Sequence, residues 1–414
     1  MVQEIWKFII KNYEQIMKSV YYWSPFLTNV ATINAVINSA KSLRLYSKNY
    51  RPIIINVCGE FTPFKSNLEK NGIELKNLIS FDYHKFLPKE GFLKSRFSYI
   101  VIFFVSIIPL IIFLKKEKPN YFICHLITSL PILISKIINQ KTKFILRISG
   151  LININLLRKY FWIFIGHKIF LVTCPTISTL NNKNKNIFYK DKIVLLRDPV
   201  INIRKINKKK KEKLSYNIDK KNYNIVCVGR LTKQKNFKLI INSFDQILKI
   251  KKNCKLIIIG EGEEKHYLQD LIDKKNLSKN IALVGFEKNI FKFLLNSDLF
   301  ILSSLWEDPG WVLVEAAISD TLILSSDCKN GPLEFIENDK GGILFKSNSS
   351  NDLVEKFNEI NNLDKKQILS KKLFAKKKSD EFTIFKHYLK SPIRFIINLL
   401  STIRWNSSCI MIIL

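Results

Sequence analysis

Carboxylates are scarce in this chain: 34 Asp and Glu face 67 Lys and Arg, a formal net charge of +33 over 414 residues. Such a chain has no acidic surface to offer, and its excess points to an acidic neighbour, whether nucleic acid, an anionic membrane surface or a phosphorylated substrate. The excess also has a plain compositional reading, because lysine, asparagine and isoleucine saturate the sequence and much of the lysine can be solvated surface. Paired cysteines are missing as well. The seven, at positions 58, 124, 174, 227, 254, 328 and 409, are odd in number and form no Cys-x-x-Cys, so neither a disulfide framework nor a zinc site is legible. Residues 1–18 lack the apolar core and small-residue cleavage site of a signal peptide, and the expectation is a protein of the reducing cytoplasm. No repeat of solenoid period is present. Nor is there an unbroken apolar run of the about twenty residues that a bilayer span needs. The nearest, Tyr99–Leu114, is uncharged, contains Pro109 and is followed by Lys115, Lys116 and Lys118. It reads as a buried helix in preference to an interfacial wedge.

What is present is globular. Hydrophobic residues make up 47% and charged residues 24%, and the length suits two domains of ordinary size. In the first half, strand-like runs at Ser19–Trp23, Ile53–Val57, Tyr121–Cys124, Phe144–Ile148, Ile169–Thr173 and Ile193–Leu196 alternate with helical stretches at Ala31–Tyr46, Phe92–Lys115 and Ser129–Ile138. That alternation predicts a parallel sheet covered by helices. After Asp198-Pro199-Val200 comes a segment without durable periodicity that carries Lys208-Lys209-Lys210-Lys211. A second series follows at Ile225–Val228, Leu256–Ile259, Ile281–Val284, Leu299–Leu302 and Leu322–Ser325, with helices of crossover length between. The expected fold class is α/β, with two tandem Rossmann-like doubly wound domains facing across a cleft. Residues 1–200 form the N-terminal, acceptor-side domain, 201–222 a basic linker and 223–378 the C-terminal domain. The remainder, 379–414, is a C-terminal helix and tail with the option of crossing back to the N-terminal domain.

Four turns carry candidate chemistry. The strand Asp298–Leu302 leads through Glu307 and the tight Pro309-Gly310 turn into a helical stretch, Trp311–Ser319, that contains Glu315. A strand, loop and helix start aims unpaired backbone N–H groups at a phosphate, while flanking carboxylates accept hydrogen bonds from sugar or ribose hydroxyls. Upstream, Ile225–Val228 runs into Gly229-Arg230-Leu231, with Lys235 on the same loop. A guanidinium and an ammonium beside a helix start suit a departing diphosphate, although a Gly-Arg turn in a lysine-rich chain also reads as plain structure. Gly260-Glu261-Gly262 lets a ligand approach the backbone. Gly285-Phe286 either admits a base or packs a turn. In this order the four turns would line one edge of one sheet.

The same residues resemble the signature of the family 4 glycosyltransferases of the GT-B type, retaining enzymes that use nucleotide sugars. The resemblance rests on Gly229-Arg230-Leu231 with Lys235 five residues after the arginine, Gly260-x-Gly262, Gly285-Phe286, and the paired Glu307 and Glu315 around Gly310. The loop Glu307-Asp308-Pro309-Gly310-Trp311, with Ser325–Pro332 and Gly341-Gly342, is similar to a subgroup that builds lipopolysaccharide or capsule. The likeness covers about Tyr223–Phe345 and is looser before it. There the glycine-rich turn after the first strand is replaced by Trp23-Ser24-Pro25-Phe26-Leu27-Thr28-Asn29, leaving Thr28 and Asn29 as donors to a phosphate. His125 matches a position where the family often has a histidine facing the donor sugar. Arg147 either reaches the acceptor or sugar or caps its turn.

The resemblance implies transfer of a glycosyl group from a nucleoside diphosphate sugar to a glycan or lipid-linked glycan hydroxyl, with no cofactor and no metal. Arg230, Lys235 and the helix start near Gly310 would stabilise the leaving diphosphate. Gly229, Gly262, Phe286 and Trp311 would complete the donor side, with Glu315 on the ribose. Glu307, with His125 the catalytic candidate, would bind the sugar and offset charge at the anomeric carbon. Placement at the inner face of the cytoplasmic membrane, by peripheral contact with anionic lipid, agrees with lipid-borne acceptors. The rivals are a GT-B-type epimerase or phosphorylase, and a basic nucleic-acid- or membrane-binding protein. No pyridoxal-phosphate lysine is identifiable, and the runs Lys208–Lys211 and Lys376–Lys378 lack the interleaved aromatics of a nucleic-acid groove, so no nucleic acid is expected.

Overall fold

A computed structural model describes residues 17–28, 31–89, 92–125, 130–138, 141–148, 156–181, 192–213, 216–307 and 309–393. It divides into two compact units. The first comprises the chain to Pro175, Thr179–Val200 and everything from Ile384 onward; the second comprises Thr176–Ser178 and Ile201–Thr383.

The first unit is built on seven strands, β1 (Lys18–Trp23), β2 (Tyr50–Asn56), β3 (Glu74–Asn77), β4 (Tyr121–His125), β5 (Lys143–Arg147), β6 (Ile169–Cys174) and β7 (Ile193–Leu195). All pairings are parallel and the order is β3-β2-β1-β4-β5-β6-β7. The connecting helices are α1 (Ala31–Tyr46), α2 (Lys65–Lys70), α3 (Phe92–Glu117), α4 (Leu130–Ile137), α5 (Leu156–Gly166) and α6 (Ile177–Asn181). Since successive side chains of a strand point to opposite faces, β1 serves two cores at once. Tyr21 and Trp23 join Leu110 and Phe113 of α3, whereas Val20 and Tyr22 join Val36 and Ala40 of α1.

The second unit has six parallel strands, β8 (Tyr223–Val228), β9 (Cys254–Ile259), β10 (Ile281–Gly285), β11 (Leu299–Leu302), β12 (Leu322–Ser326) and β13 (Ile343–Phe345). Their order, β10-β9-β8-β11-β12-β13, reverses beside β8, where a doubly wound sheet opens a ligand crevice at its carboxyl edge. Its helices are α7 (Ile203–Lys210), α8 (Phe237–Ile250), α9 (Lys265–Lys274), α10 (Phe291–Leu295), α11 (Trp311–Ile318), α12 (Pro332–Ile336), α13 (Ser350–Asn361) and α14 (Lys365–Ser379). Phe237, Ile240, Ile241, Phe244 and Ile247 place one face of α8 in the core, the spacing of an amphipathic helix. A capping box between Asp364 and Gln367 starts α14. The last helix, α15 (Ile384–Lys390), belongs to the first unit, where His387 Nε2 meets Ser39 Oγ of α1 at 2.9 Å and its Nδ1 donates to the Arg197 carbonyl at 2.7 Å.

Two expectations are corrected. The segment 201–222 is not a linker throughout: Asn202 caps α7 through Lys205 N, Ile206 is buried, and the helix belongs to the second unit. Lysines conceal that helix because only one apolar side chain per turn faces inward. The run Tyr99–Leu114 is not a buried helix either. It lies within α3, and while Ile102, Leu110 and Leu114 are buried, Phe104 is 65% and Ile108 69% exposed. Composition counts apolar residues, but only periodicity says how many of them a single sheet can cover.

Candidate functional site

The second unit brings four turns together at the carboxyl edge of its sheet. The turn after β8 is joined to the turn after β9 by backbone bonds: Gly229 N to Ile259 O at 3.0 Å, Leu231 N to Glu261 O at 2.9 Å and Glu264 N to Leu231 O at 2.9 Å. So close an approach leaves no room for a side chain. A Cβ on Gly262 would lie 2.3 Å from the Leu231 carbonyl oxygen.

Lys235 is held against the loop after β11. Ser303 Oγ donates to its carbonyl at 2.7 Å, and its neighbour Gln234 bonds the Leu305 N–H at 2.9 Å and the Trp306 carbonyl at 2.8 Å. That fixed backbone delivers Lys235 Nζ to Glu307 Oε1 at 2.5 Å, where Ser304 Oγ also donates at 2.5 Å. Glu307 is only 4% exposed. A carboxylate so buried needs its charge matched, and Lys235 with Ser304 supplies the match. Three residues later Gly310, at φ 80°, turns the chain into α11. Among the described residues no side chain caps this helix, so its first N–H groups and positive end are not taken by a cap from them.

On α11, burial pushes the carboxyl of Glu315 up to about 7, with Lys209 of α7 pulling the other way. The side chain retains some exposure, so the carboxyl is both hard to ionise and reachable. Trp311 is half-buried, and its indole N–H, itself buried, has no acceptor among the described residues. Arg230 is exposed after β8, and Phe286 is 76% exposed after β10. Gly229, Arg230, Lys235, Gly262, Phe286, Glu307, Gly310 and Trp311 thus all belong to turns or a helix start at one sheet edge, and Glu315 lies one turn further along α11.

The candidates of the first unit are differently placed. His125 ends β4, is 7% exposed, and is held neutral by burial and then by Arg147, which lower its pKa to about 3. Arg147 ends β5, 5% exposed, with its guanidinium on Asp198, on Thr173 Oγ1 at 3.3 Å and on the Leu196 carbonyl at 3.2 Å. It ties β5 to β6 and to the chain after β7. The turn after β1 is filled rather than open: the Phe26 ring meets Phe61 edge-on at 5.0 Å, and His84 Nε2 donates to the Leu27 carbonyl at 3.1 Å. Thr28 is exposed, and Asn29 lies outside the described residues.

Two contributors escaped the sequence reading. Ser304, which holds Glu307, carries the spacing i, i+3 that brings two loop side chains together. Lys209 was one of four consecutive lysines. Its signal was the buried Ile206 three residues earlier, which sets the inward face of α7.

Residues 208–373 match the family model described as glycosyl transferases group 1. The chain is 35% identical over 241 residues to an uncharacterized glycosyltransferase of Methanocaldococcus jannaschii, covering 54% of this chain and 59% of that one. It is 32% identical over 131 residues to the N-acetylgalactosamine-N,N'-diacetylbacillosaminyl-diphospho-undecaprenol 4-alpha-N-acetylgalactosaminyltransferase of Campylobacter jejuni, covering 32% and 35%. It is 31% identical over 137 residues to the poly(ribitol-phosphate) alpha-N-acetylglucosaminyltransferase of Staphylococcus aureus, covering 33% and 28%. The chain therefore spans between 28% and 59% of these curated relatives. Among solved structures, a glycosyltransferase from Rickettsia africae superposes with a TM-score of 0.70 at 18% identity, covering 93% of this chain and 99% of that one. Anabaena HepE in complex with UDP superposes at 0.65 and 14% identity, covering 93% and 100%. At these identities the likeness shows the fold, two parallel-sheet α/β units of the GT-B class.

Proposed function

We propose that this chain, whose residues 208–373 match the glycosyl transferases group 1 model, moves a sugar from a nucleoside diphosphate to an acceptor hydroxyl with retention of configuration. The observation that carries the reading is the buried Lys235–Glu307 pair at the carboxyl edge of the second sheet, beside the uncapped start of α11. Lys235, Arg230 and the α11 N-terminus supply positive charge where a diphosphate departs, the task a divalent ion performs in other transferases. Glu307 takes the donor sugar's hydroxyls and offsets charge developing at the anomeric carbon. Glu315 accepts hydrogen bonds from the ribose, and the free indole N–H of Trp311 offers one more donor. Gly229 and Gly262 let the turns after β8 and β9 and the Lys235 side chain pack closely enough to present Arg230 and Lys235 to the diphosphate, and Phe286 offers a ring face for the base. The leaving phosphate oxygen takes the acceptor's proton, so no protein base is required, which agrees with a His125 that is buried and neutral.

The acceptor is a glycan or lipid-linked glycan of a cell-surface polymer, a reading supported by relatives named for poly(ribitol-phosphate), diphospho-undecaprenol and amylovoran. The transfer then takes place on the cytoplasmic side, where nucleotide sugars are made. A thermal-shift screen of nucleotide sugars tests the donor, beginning with UDP-linked sugars because solved neighbours hold UDP. The right donor raises the melting midpoint, and release of its nucleoside diphosphate with acceptor then persists undiminished in EDTA. A chain that no nucleotide sugar stabilises, or whose turnover stops on chelation, sinks the proposal.

A further inference from the structure

The helix α3 carries an apolar face that the fold leaves uncovered. Leu93, Phe97, Ile100, Phe104, Ile108 and Ile112 recur every three or four residues and are between 54% and 79% exposed. The opposite face is committed: Ile102, Leu110, Phe113 and Leu114 lie in the cluster beneath the sheet. No charged residue occurs from 97 to 114, so the outward side lacks the polar stripe that a helix at a protein surface normally presents to water.

A second helix repeats the pattern. In α5 the buried Trp162 and Ile165 join the same cluster, hence the same face of the sheet, while Leu156 and Tyr160 stand 72% and 67% exposed. Between them α4 packs against both and ends in Ile137, 74% exposed. An uncovered apolar surface spread over neighbouring elements is larger than the scattered hydrophobic residues of an ordinary surface. Its margin is basic: Lys94 stands beside the start of the α3 stripe, Lys115, Lys116 and Lys118 follow it, and Lys159 stands on α5, all exposed.

We infer that this face of the first unit seats on an anionic lipid bilayer, with α3 and α5 lying in the plane of the interface and their apolar stripes among the acyl chains. By length and composition α3 could cross a membrane. Its inner face is built into the core of the sheet, and a helix so committed lies along a membrane rather than through it. Two features select lipid over a second copy of the chain. The stripe is fringed by cations that meet phosphate headgroups favourably, whereas two copies face to face would oppose their lysine margins in molecules that each carry +33. Phe97, Phe104 and Tyr160 add the aromatic content that interfacial surfaces share.

The inference stands apart from the sugar-transfer reading and is tested by flotation of the full chain with vesicles of phosphatidylcholine, with and without phosphatidylglycerol. The chain is expected to float with the phosphatidylglycerol vesicles. Phe104→Asp with Ile108→Asp, both at exposed positions, is expected to lower that partition tenfold or more while the melting midpoint and donor-induced thermal shift are kept. Lys115→Glu with Lys116→Glu is expected to abolish the preference for phosphatidylglycerol. The inference is overturned if the unaltered chain stays at the bottom of the gradient or if the aspartate pair floats as well as the parent. It is equally overturned if light scattering shows a dimer that the aspartate pair dissociates while vesicles are ignored. Absence of a donor shift in the unaltered chain, with its flotation on phosphatidylglycerol vesicles intact, would instead count against the transferase reading alone.

Discussion

At the scale of single residues, the Lys235–Glu307 contact has separable structural and chemical parts. Replacing Lys235 by Ala removes the ammonium and leaves a carboxylate that is 4% exposed with Ser304 as its hydrogen-bond partner among the described residues. Removing one partner of a buried pair costs about 3–5 kcal/mol, whereas removing both costs less. Lys235→Ala is therefore expected to lower stability more than the double variant Lys235→Ala, Glu307→Gln, as chemical denaturation of the cycle would show. Both single variants should lose about a hundredfold or more in transfer, the size of one preorganised electrostatic contact. Near-normal turnover by either would remove the site assignment. Glu315 makes a pH prediction. Its carboxyl is raised to about 7 from an ordinary 4.5, so the folded protein holds a proton there that the unfolded chain has released, and stability contributed by this group falls as pH rises from about 4.5 to 7. A ribose donating hydrogen bonds favours the ionised form. Donor affinity should then increase as pH rises towards 7 and level off above it, and Glu315→Gln should flatten that profile in calorimetric titrations.

At the scale of elements, the stacking of turns after β8 and β9 predicts how the edge tolerates change. Gly262→Ala sets a methyl against the Leu231 carbonyl, and the two turns must separate to admit it. Overpacking of this kind costs about 1–3 kcal/mol, and the displaced loop carries Arg230 and Lys235. Donor affinity should fall with stability, read by thermal shift with and without donor; a variant that loses neither would show that the turns are not held together. The same elements explain what the sequence made legible. Eleven of the thirteen strands were expected near their observed positions, because a strand in a covered parallel sheet is apolar on both sides and stands out as a run. The two that were missed lack that mark. Glu74–Asn77 is an edge strand with no fully buried residue, and Ile343–Phe345 is three residues long after paired glycines. That the candidate residues share one sheet edge was legible because turns after strands concentrate glycine and charge. Arg147 was ambiguous for a physical reason: Asp198, 51 residues away in sequence, decides whether its guanidinium is free, and it is not. The outward face of α3 was misjudged because an apolar run signals burial only when something covers both sides.

At the scale of the whole molecule, the two units differ in how they are drawn from the chain. The second is almost continuous, Ile201–Thr383, whereas the first needs the chain from Ile384 as well as its N-terminal part. The return is well anchored. The Tyr46 ring meets Phe385 edge-on at 5.1 Å and Tyr388 at a tilt at 5.6 Å, and Ile393 is 2% exposed in the α1-side core. Ending the chain after Thr383 uncovers that side of α1 and leaves the Arg197 carbonyl without the His387 ring. The expected result is a lower melting midpoint for the first unit, by several degrees for a loss of about 2–4 kcal/mol, with the second unit's donor-induced stabilisation retained. Equal loss in both units would show that they do not unfold as separate bodies.

The same return orders events during synthesis. Residues up to Thr383 complete the second unit, so its sheet can close while α15 is still inside the ribosome. The first unit, whose sheet is made earliest, waits longest: the bond between Ser39 and His387 joins residues 348 apart. Until that late segment arrives, the Ser39 and Tyr46 side of α1 lacks the cover of α15, and the nascent chain presents it to whatever chaperone or surface is nearby.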